Sequence, residues 1–299
     1  MAHRSRIGYF RPISANLFLF FVAQNFTNLN LKTIAQWLAQ GHPEIPNGIR
    51  RQLLSFVLNK NSAWLYGHDD VILSPQQIQQ LVDYQNQYLA GKPLAYMTGQ
   101  QPFWDLTLKV NEHTLIPRPD TELIIETLQS LPVRPQNILD LGTGSGALAL
   151  VLARLYPDSD VTATDTSSEA LKVAAHNAER YGLNHITFLN SHWFSALENV
   201  QFDLIVSNPP YIAPGDRHLK ALKHEPVTAL VADQNGLSDL KIIIKQARQF
   251  LNPNGLLMVE HGYNQHHVVS EHFAQNQYIQ IKTLYDIEQR PRATMAYLN

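Results

Sequence analysis

The sequence contains no cysteine among its 299 residues. Disulfides, thiolate metal sites and cysteine nucleophiles are therefore excluded. It also lacks a charge excess, since 23 Lys and Arg residues face 25 Asp and Glu residues for a net charge of −2. Without a basic surplus, the chain is not expected to bind nucleic acid through bulk charge, although a local basic patch stays open. Its ordinary composition, 44% hydrophobic and 16% charged, excludes a disordered or low-complexity protein.

Long apolar runs are missing as well. The longest purely apolar run covers residues 17–23, far short of the roughly 20 residues that a membrane-spanning helix needs. Three arginines precede this run, as in a signal peptide, but Phe21 stands where the cleavage site needs a small residue. We therefore interpret residues 1–28 as an N-terminal extension, with a signal peptide as the alternative, and expect a cytoplasmic protein without membrane association.

The remaining chain divides into three regions by pattern. Residues 29–93 predict a small helical domain, because apolar residues recur at helical spacing over 31–38, 49–58 and a helix capped by Ser74 that ends near Gly91. Residues 94–116 predict a connecting β-hairpin, since 103–110 alternates like a hairpin strand. Residues 117–299 then begin with a Pro-Arg-Pro break, after which Asp120 or Thr121 can cap a helix over 122–131.

From residue 137 strands and helices alternate, which predicts an α/β fold with a parallel sheet covered by helices on both faces. The strands are expected at 138–141, 160–164, 185–189, 202–207 and 255–260. The helices are expected at 147–155, 168–181 and 238–251. Two further strands at 279–285 and 292–298 complete the sheet and can be antiparallel.

A glycine loop follows the first of these strands, with the sequence Asp140-Leu-Gly142-Thr143-Gly144-Ser145-Gly146. Glycines let the backbone approach a ligand closely, and the loop opens a helix whose free N–H groups favour polar ligand groups. The same glycines satisfy the dinucleotide pattern G-x-G-x-x-G/A, so a nicotinamide enzyme stays open, as does a tight turn without ligand. The full D-x-G-x-G-x-G pattern resembles that of S-adenosylmethionine-dependent methyltransferases. Asp165, which ends the second strand, can accept bonds from both ribose hydroxyls or can cap the next helix.

The fourth strand ends in Asn208-Pro209-Pro210-Tyr211. Two consecutive prolines stiffen the backbone and remove two N–H donors, which leaves the Asn208 side-chain oxygen and the Pro209 carbonyl as acceptors. Such acceptors suit a planar NH2 group, either an amide or an exocyclic amine, and Tyr211 can supply an aromatic face. We therefore expect Asn208 and Pro209 to be catalytic. The alternative is a proline-stiffened turn in which Asn208 is a local cap.

Other segments around these motifs resemble the PrmC/HemK family of peptide chain release factor glutamine methyltransferases. They are GKPLAYMTG at 91–99, FW at 103–104, LIPRPDTE at 115–122, HEPVTAL at 224–230 and NGL at 235–237. The resemblance, which covers roughly residues 30–299, implies a Rossmann-like class I methyltransferase fold with an antiparallel C-terminal strand, preceded by a small helical domain. It further implies methylation of the glutamine in the Gly-Gly-Gln tip of class I release factors, in translation termination.

The same resemblance implies roles for individual residues. Asn208, Pro209, Pro210 and Tyr211 would hold the substrate glutamine, and residues 29–93 would recognise the release factor. S-adenosylmethionine would be bound by Gly142, Thr143, Gly144, Ser145, Gly146, Asp165, Trp193 and Asn208. A core role remains the alternative for Trp193, and His192 stands before it where the family often has an acid, so the contact to the adenine amino group is left open.

Several alternatives remain at this point. An N6-adenine or other nucleic-acid methyltransferase would share the glycine loop and the Asn-Pro-Pro-Tyr motif, and a non-catalytic cofactor-binding scaffold is a further alternative. Arg118 can contact the cofactor or partner, or form a salt bridge to Asp120 or Glu122. The 13 histidines show no metal-ligand spacing, and adjacent His266 and His267 would diverge on a helix, so we predict no metal site. We expect a monomer that does not bind nucleic acid directly.

Overall fold

A computed structural model of the chain describes residues 32–299. The expectations for residues 1–28, including the signal-like run, lie outside these residues. The chain divides into two compact units, Met1–Ala90 and Gly91–Asn299. Within the described part of the chain, no helix is both long and apolar enough to cross a membrane.

The first unit is helical in its described part. Its helices are α1 (Ile34–Ala39), α2 (Asn47–Leu58), α3 (Ser62–Gly67) and α4 (Pro75–Leu89). The predicted cap at Ser74 is present, because its hydroxyl accepts from the Gln77 main-chain N–H and the Gln77 side chain accepts from the Ser74 N–H. Helix α3 was not predicted, because its six residues are too few to show a helical period.

The second unit opens with α5 (Leu94–Thr98) and a hairpin of β1 (Gln100–Phe103) and β2 (Leu106–Lys109). The prediction of one continuous strand over 103–110 is wrong, since the chain reverses at Trp104, which has a φ of 54°. The Trp104 N–H donates to the Glu122 carboxylate at 2.7 Å and so stabilises this turn.

A seven-stranded sheet forms the centre of the second unit, in the order β5-β4-β3-β6-β7-β9-β8. Strands β3 to β7 are parallel, and the pairs β7–β9 and β8–β9 are antiparallel. The strands are β3 (Asn137–Leu141), β4 (Asp160–Asp165), β5 (Thr187–Asn190), β6 (Phe202–Ser207), β7 (Leu251–Glu260), β8 (Tyr278–Tyr285) and β9 (Pro291–Leu298). The predicted parallel sheet with antiparallel C-terminal pairing is confirmed.

Helices pack on both faces of this sheet. They are α6 (Glu122–Ser130), α7 (Ala147–Leu155), α8 (Ser168–Arg180), α9 (Ser238–Ala247) and α10 (His266–Gln275), with short turns at Pro119–Thr121, Arg217–Lys220, Val227–Ala229 and Asp233–Gly236. The helix predicted over 238–251 is too long, because the Phe250 carbonyl accepts from the Phe202 N–H and β7 already begins at Leu251. Helix α10 was not predicted.

The arrangement of strands places a site between β3 and β6. Strands β4 and β5 continue the sheet on one side of β3, whereas β6 lies on its other side, so the strand order reverses there. In open α/β sheets ligands bind at the carboxyl ends of the strands at such a reversal. Leu141 and Ser207 are register partners, and the Ser207 hydroxyl donates to the Leu141 carbonyl at 2.8 Å. The glycine loop and Asn208 therefore start side by side.

Candidate active site

A cavity of about 500 Å³ lies at this reversal, within the second unit. That volume is within the roughly 300–1,000 Å³ of small-molecule sites. Its wall includes most of the predicted site residues, namely Gly142, Thr143, Gly144, Ser145, Asp165, Trp193, Asn208 and Pro210. Gly146, Pro209 and Tyr211 are not part of this wall.

Asp140 stabilises the conformation of the glycine loop through hydrogen bonds to its carboxylate. Its carboxylate accepts from the Thr143 hydroxyl at 2.6 Å and from the Ala149 N–H at 3.2 Å. Burial raises the pKa of Asp140 to about 7, against the opposing effect of these two hydrogen bonds. The Asp140 carboxylate is thus a buried acceptor for the Thr143 side chain in the loop and for the first turn of α7.

Gly146 has a packing role in this loop. Its φ is +85°, and a Cβ placed on it would lie 2.5 Å from Leu150 Cδ1 and 3.2 Å from Ala174 Cβ. The residue is glycine because α7 and α8 approach it closely. Gly144 differs, since it also has a positive φ of +56° but an added Cβ would meet no neighbouring atom within 4 Å.

Asp165 joins the glycine loop to the next strand. Its carboxylate accepts from the Gly144 N–H at 2.9 Å and from the Ser167 N–H at 2.8 Å. Burial raises its pKa, and the hydrogen bonds from Ser167, Gly144 and Thr166 oppose that shift. The cap of α8 is Ser167, whose hydroxyl accepts from the Ala170 N–H. Asp165 therefore orders the turn before the helix and still presents a carboxylate to the cavity.

Trp193 forms a flat side of the cavity beside the glycine loop. Its ring lies against Gly142, where an added Cβ would be 3.4 Å from Trp193 Cζ3. Its indole N–H donates to Asp239 at 3.2 Å, and its own φ is 51°. His192 and Asp239 are also on the wall. The ring is thus half-buried and held at its polar edge, in contact with both core and cavity.

The acceptor motif brings Asn208 to the cavity but turns Tyr211 away from it. Asn208 Nδ2 donates to Thr121 Oγ1 at 3.0 Å, and the Tyr211 hydroxyl donates to Glu260 at 3.1 Å. The Tyr211 carbonyl accepts from the Gln265 side chain at 3.0 Å. Pro209 is buried. The sequence predicts that Tyr211 offers an aromatic face to the substrate. In the structure its ring is not on the cavity wall, and its hydrogen bonds to Glu260 and Gln265 hold the two prolines in place.

Thr121 and Glu260 are site residues that the sequence analysis did not identify. The Thr121 hydroxyl donates to Glu260 at 2.6 Å, so the predicted helix-capping role of Asp120 or Thr121 is wrong, and no side chain caps α6. Burial raises the pKa of Glu260 to about 7. The sequence contains one signal for Glu260, namely a single acid at the end of an otherwise apolar strand. That strand, β7, pairs with β6, and Asn208 directly follows β6.

Arg118 follows the cavity-wall residue Pro117 in the chain but does not itself line the cavity. It pairs with Glu225, which also accepts from the Ile116 N–H at 3.0 Å. The predicted partners Asp120 and Glu122 are wrong, since Asp120 pairs with Arg292 at 3.2 Å and Glu122 accepts from Trp104. The pair joins the 116–118 segment to the 224–229 segment, and both contribute wall residues.

The two adjacent histidines do not diverge as expected. The rings of His266 and His267 have centroids 3.9 Å apart at the start of α10. Over residues 32–299, no three His, Asp or Glu side chains gather as metal ligands.

Comparison with known proteins is informative over nearly the whole described chain. The family described as "Methyltransferase small domain" matches residues 119–289, and the "PrmC N-terminal domain" family matches residues 31–99. The release factor glutamine methyltransferase of Salmonella typhimurium is 45% identical over 81% of this chain and 88% of its own length. The Escherichia coli protein of the same name is 40% identical over 84% of this chain and 92% of its own length. This chain belongs to the release factor glutamine methyltransferase family. It is therefore an S-adenosylmethionine-dependent methyltransferase.

Solved structures agree on the fold. A methyltransferase from Pyrococcus furiosus has a TM-score of 0.51 at 20% identity, covering 72% of this chain and 98% of its own. The hMettl16 catalytic domain, in complex with hairpin 1 of the MAT2A 3′UTR, has a TM-score of 0.53 at 14% identity over 75% of this chain and 80% of its own. At such identities these likenesses concern the fold alone.

The cavity has the chemistry that the family's cofactor requires. Asp165 offers a half-buried carboxylate to hydroxyl donors, Trp193 offers a flat apolar ring, and the backbone at Gly144 leaves open space above the start of α7. A nucleoside with an attached amino acid needs these three features: acceptors for a ribose, a surface for a base, and a close main-chain approach.

Proposed function

We propose that this chain transfers a methyl group from S-adenosylmethionine to the side-chain amide nitrogen of the glutamine in the Gly-Gly-Gln motif of class I peptide chain release factors. The observation that carries the proposal is the side chain of Asn208, which lies on the cavity wall with its NH2 group already bound to Thr121. Its oxygen is the part that remains for a substrate amide. The relatives named for this reaction support the choice of substrate.

The cofactor half of the site consists of residues after β3, β4 and β5. Asp165 would accept hydrogen bonds from the ribose hydroxyls, Trp193 would pack on the adenine, and the main chain from Gly142 to Ser145 would border the amino-acid part. When bound, S-adenosylmethionine supplies a methyl group on a positively charged sulfur. The chain itself supplies shape and orientation, since the glycine loop is held by Asp140 and Asp165 before any ligand arrives.

The acceptor half holds the nitrogen that receives the methyl group. A carboxamide nitrogen is a weak nucleophile because its lone pair is delocalised into the carbonyl. The Asn208 oxygen, on the cavity wall, would accept one of its hydrogens. The other would go to the carbonyl of Pro209, although Pro209 is itself buried and not part of the wall. These two bonds would orient the nitrogen and leave electron density on it. As the new carbon–nitrogen bond formed, the carbon–sulfur bond would break to leave S-adenosylhomocysteine, and one of these protons would pass to solvent water, so the product would be a neutral N-methyl amide. Orientation of this kind contributes about 7–11 kcal/mol to lowering a barrier.

The helical unit, residues 29–93 in the sequence prediction, is proposed to recognise the release factor as a protein surface. We also propose that the chain acts as a monomer in the cytoplasm. An exocyclic amine of adenine has the same planar NH2 group, so a nucleic-acid methyltransferase is the outcome that the experiment must exclude. The balanced charge of the chain favours the protein substrate.

The decisive experiment is incubation of the full chain with S-adenosylmethionine and a purified class I release factor, followed by mass spectrometry of the Gly-Gly-Gln peptide. We expect one added methyl group on the glutamine side chain. Parallel reactions with radiolabelled cofactor and total RNA or DNA should leave the nucleic acid unlabelled. Labelled nucleic acid together with an unmodified peptide would contradict the proposal.

The matched variants are Asn208→Ala in the motif and Asn184→Ala at an exposed turn outside the cavity wall. We expect Asn208→Ala to lower methyl transfer by at least about 100-fold, because the amide then lacks its orienting acceptor. Its cofactor affinity should weaken by less than about tenfold. Asn184→Ala should match the unmodified chain in both measurements.

A further inference from the structure

A buried chain of hydrogen bonds runs from Asn208 into the interior. Asn208 Nδ2 donates to Thr121 Oγ1 at 3.0 Å, and Thr121 Oγ1 donates to Glu260 Oε2 at 2.6 Å. Thr121 and Glu260 are 4% and 2% exposed. The three residues come from the end of β6, the turn before α6 and the end of β7. Only Asn208 and Thr121 reach the cavity wall, so Glu260 can act on a bound ligand solely through other residues.

The number of hydrogens in this chain determines which way the Asn208 amide points. A threonine hydroxyl has one hydrogen, and an ionised carboxylate can only accept. The Thr121 hydrogen therefore goes to Glu260, and the Thr121 lone pairs are left to accept. Only the NH2 side of the Asn208 amide can satisfy them. The amide oxygen must then lie on the opposite side, away from Thr121.

We propose that Glu260 is a positioning residue, which acts through Thr121 to hold Asn208 with its amide oxygen toward the substrate. This inference rests on the proposed function, because it explains how the acceptor of that reaction is kept in its productive orientation. A flipped Asn208 amide would direct an NH2 group at the NH2 group of the substrate, and two donors repel each other. Tyr211 adds a second attachment, since its hydroxyl donates to the other Glu260 oxygen at 3.1 Å.

Protonation of Glu260 reverses the direction of these hydrogen bonds. A protonated Glu260 donates its hydrogen to Thr121, and Thr121 then donates to the Asn208 oxygen, which turns the amide around. Besides Thr121, the groups that act on Glu260 are Tyr211, Asp120 and Arg292, and His261 is its neighbour in the chain. Burial raises the pKa of Tyr211 well above its usual value and lowers that of His261 to about 4, and Asp120 lies in an ion pair with Arg292. Burial also raises the pKa of Glu260 to about 7, within the range of an activity assay.

The first test compares Thr121→Val with Thr121→Ser, using methyl transfer to the release factor. Valine keeps the shape of threonine but removes the hydroxyl, so kcat should fall on the order of 10- to 100-fold, the effect of one misdirected buried hydrogen bond. The KM for release factor and the cofactor Kd should stay within about threefold. Serine restores the hydroxyl and should return kcat to within about threefold of the unmodified chain.

The second test is the pH profile of kcat between pH 5 and 8 for Glu260→Gln and the unmodified chain. We expect kcat of the unmodified chain to fall on the acid side of about pH 7. The kcat of Glu260→Gln should not change over this pH range, because its amide does not titrate. Thermal unfolding of Thr121→Val and Glu260→Gln shows whether each variant is folded at the assay temperature.

The outcomes separate this inference from the proposed function. If the unmodified chain methylates the glutamine and Asn208→Ala does not, while Thr121→Val keeps kcat within threefold, Glu260 has no positioning role. An acid limb that persists unchanged in Glu260→Gln also overturns the inference. If the unmodified chain leaves the glutamine unmodified, the proposed function itself fails.

Discussion

Replacement of Gly146 by alanine should destabilise the second unit, because the site combines a left-handed backbone with close packing. The new Cβ would lie 2.5 Å from Leu150 Cδ1 and 3.2 Å from Ala174 Cβ, and both neighbours are buried. A left-handed backbone costs an alanine about 1–2 kcal/mol, and overpacking of a buried contact costs about 1–3 kcal/mol. The free energy of unfolding should therefore decrease by about 2–5 kcal/mol.

Two matched glycines separate these contributions. Gly182 has a φ of +70° and no neighbouring atom within 4 Å of an added Cβ, and it is not on the cavity wall, so Gly182→Ala measures the backbone cost alone. Gly144→Ala has the same open surroundings with a φ of +56°. Because Gly144 lines the cavity, its methyl group should additionally weaken cofactor binding.

The assays are thermal unfolding followed by circular dichroism and calorimetric titration with S-adenosylmethionine. At roughly 2–4 °C per kcal/mol for a unit of this size, Gly182→Ala and Gly144→Ala should each lower Tm by about 2–8 °C, and Gly146→Ala by more than either. Equal Tm values for Gly146→Ala and Gly182→Ala would refute the packing argument. An unchanged cofactor Kd in Gly144→Ala would refute its place beside the ligand.

Three further expectations concern charged groups of the site. Asp165→Asn should weaken cofactor binding by about tenfold in a titration, and an unchanged affinity would leave Asp165 a purely structural role in the turn. Because the pKa of Asp140 is raised to about 7, its protonation stabilises the folded state fully below about pH 4, and this stabilisation is lost as the pH rises to about 7. Tm should thus fall between about pH 4 and 7 and fall less in Asp140→Asn. Arg118→Ala should increase hydrogen exchange in segments 116–118 and 224–229, since it leaves buried Glu225 without its ion pair. Unaltered exchange in these segments would count against a role of the ion pair in joining them.

Much of the second unit could be predicted from local signals. Helix α7 and strand β6 have the predicted bounds, because Gly146 precedes the helix and two prolines follow shortly after the strand. Helix α10 has no comparable signal, since Gln265 provides no side-chain cap at its start. The Trp104 turn depends on the Glu122 carboxylate, which is 18 residues away and invisible to an alternation pattern.

The same difference between local and long-range contacts applies to the candidate site. The residues of the glycine loop could be identified because their spacing is a local motif with a physical purpose. The structure separates their tasks, since Gly144 lines the cavity and Gly146 allows helix packing. Thr121 and Glu260 are 139 positions apart, and only the tertiary fold brings the turn before α6 to the end of β7. No spacing rule within one segment could predict that contact.

Asp140 and Glu260 show that the two halves of the site are built on the same physical device. Each is a buried carboxylate in a central strand, and each accepts a 2.6 Å hydrogen bond from a threonine hydroxyl, Thr143 in one case and Thr121 in the other. Burial raises both pKa values to about 7, so ionisation of each carboxyl costs folding free energy. What both provide is a fixed direction for a hydroxyl hydrogen, and that direction orders the glycine loop on one side and the Asn208 amide on the other.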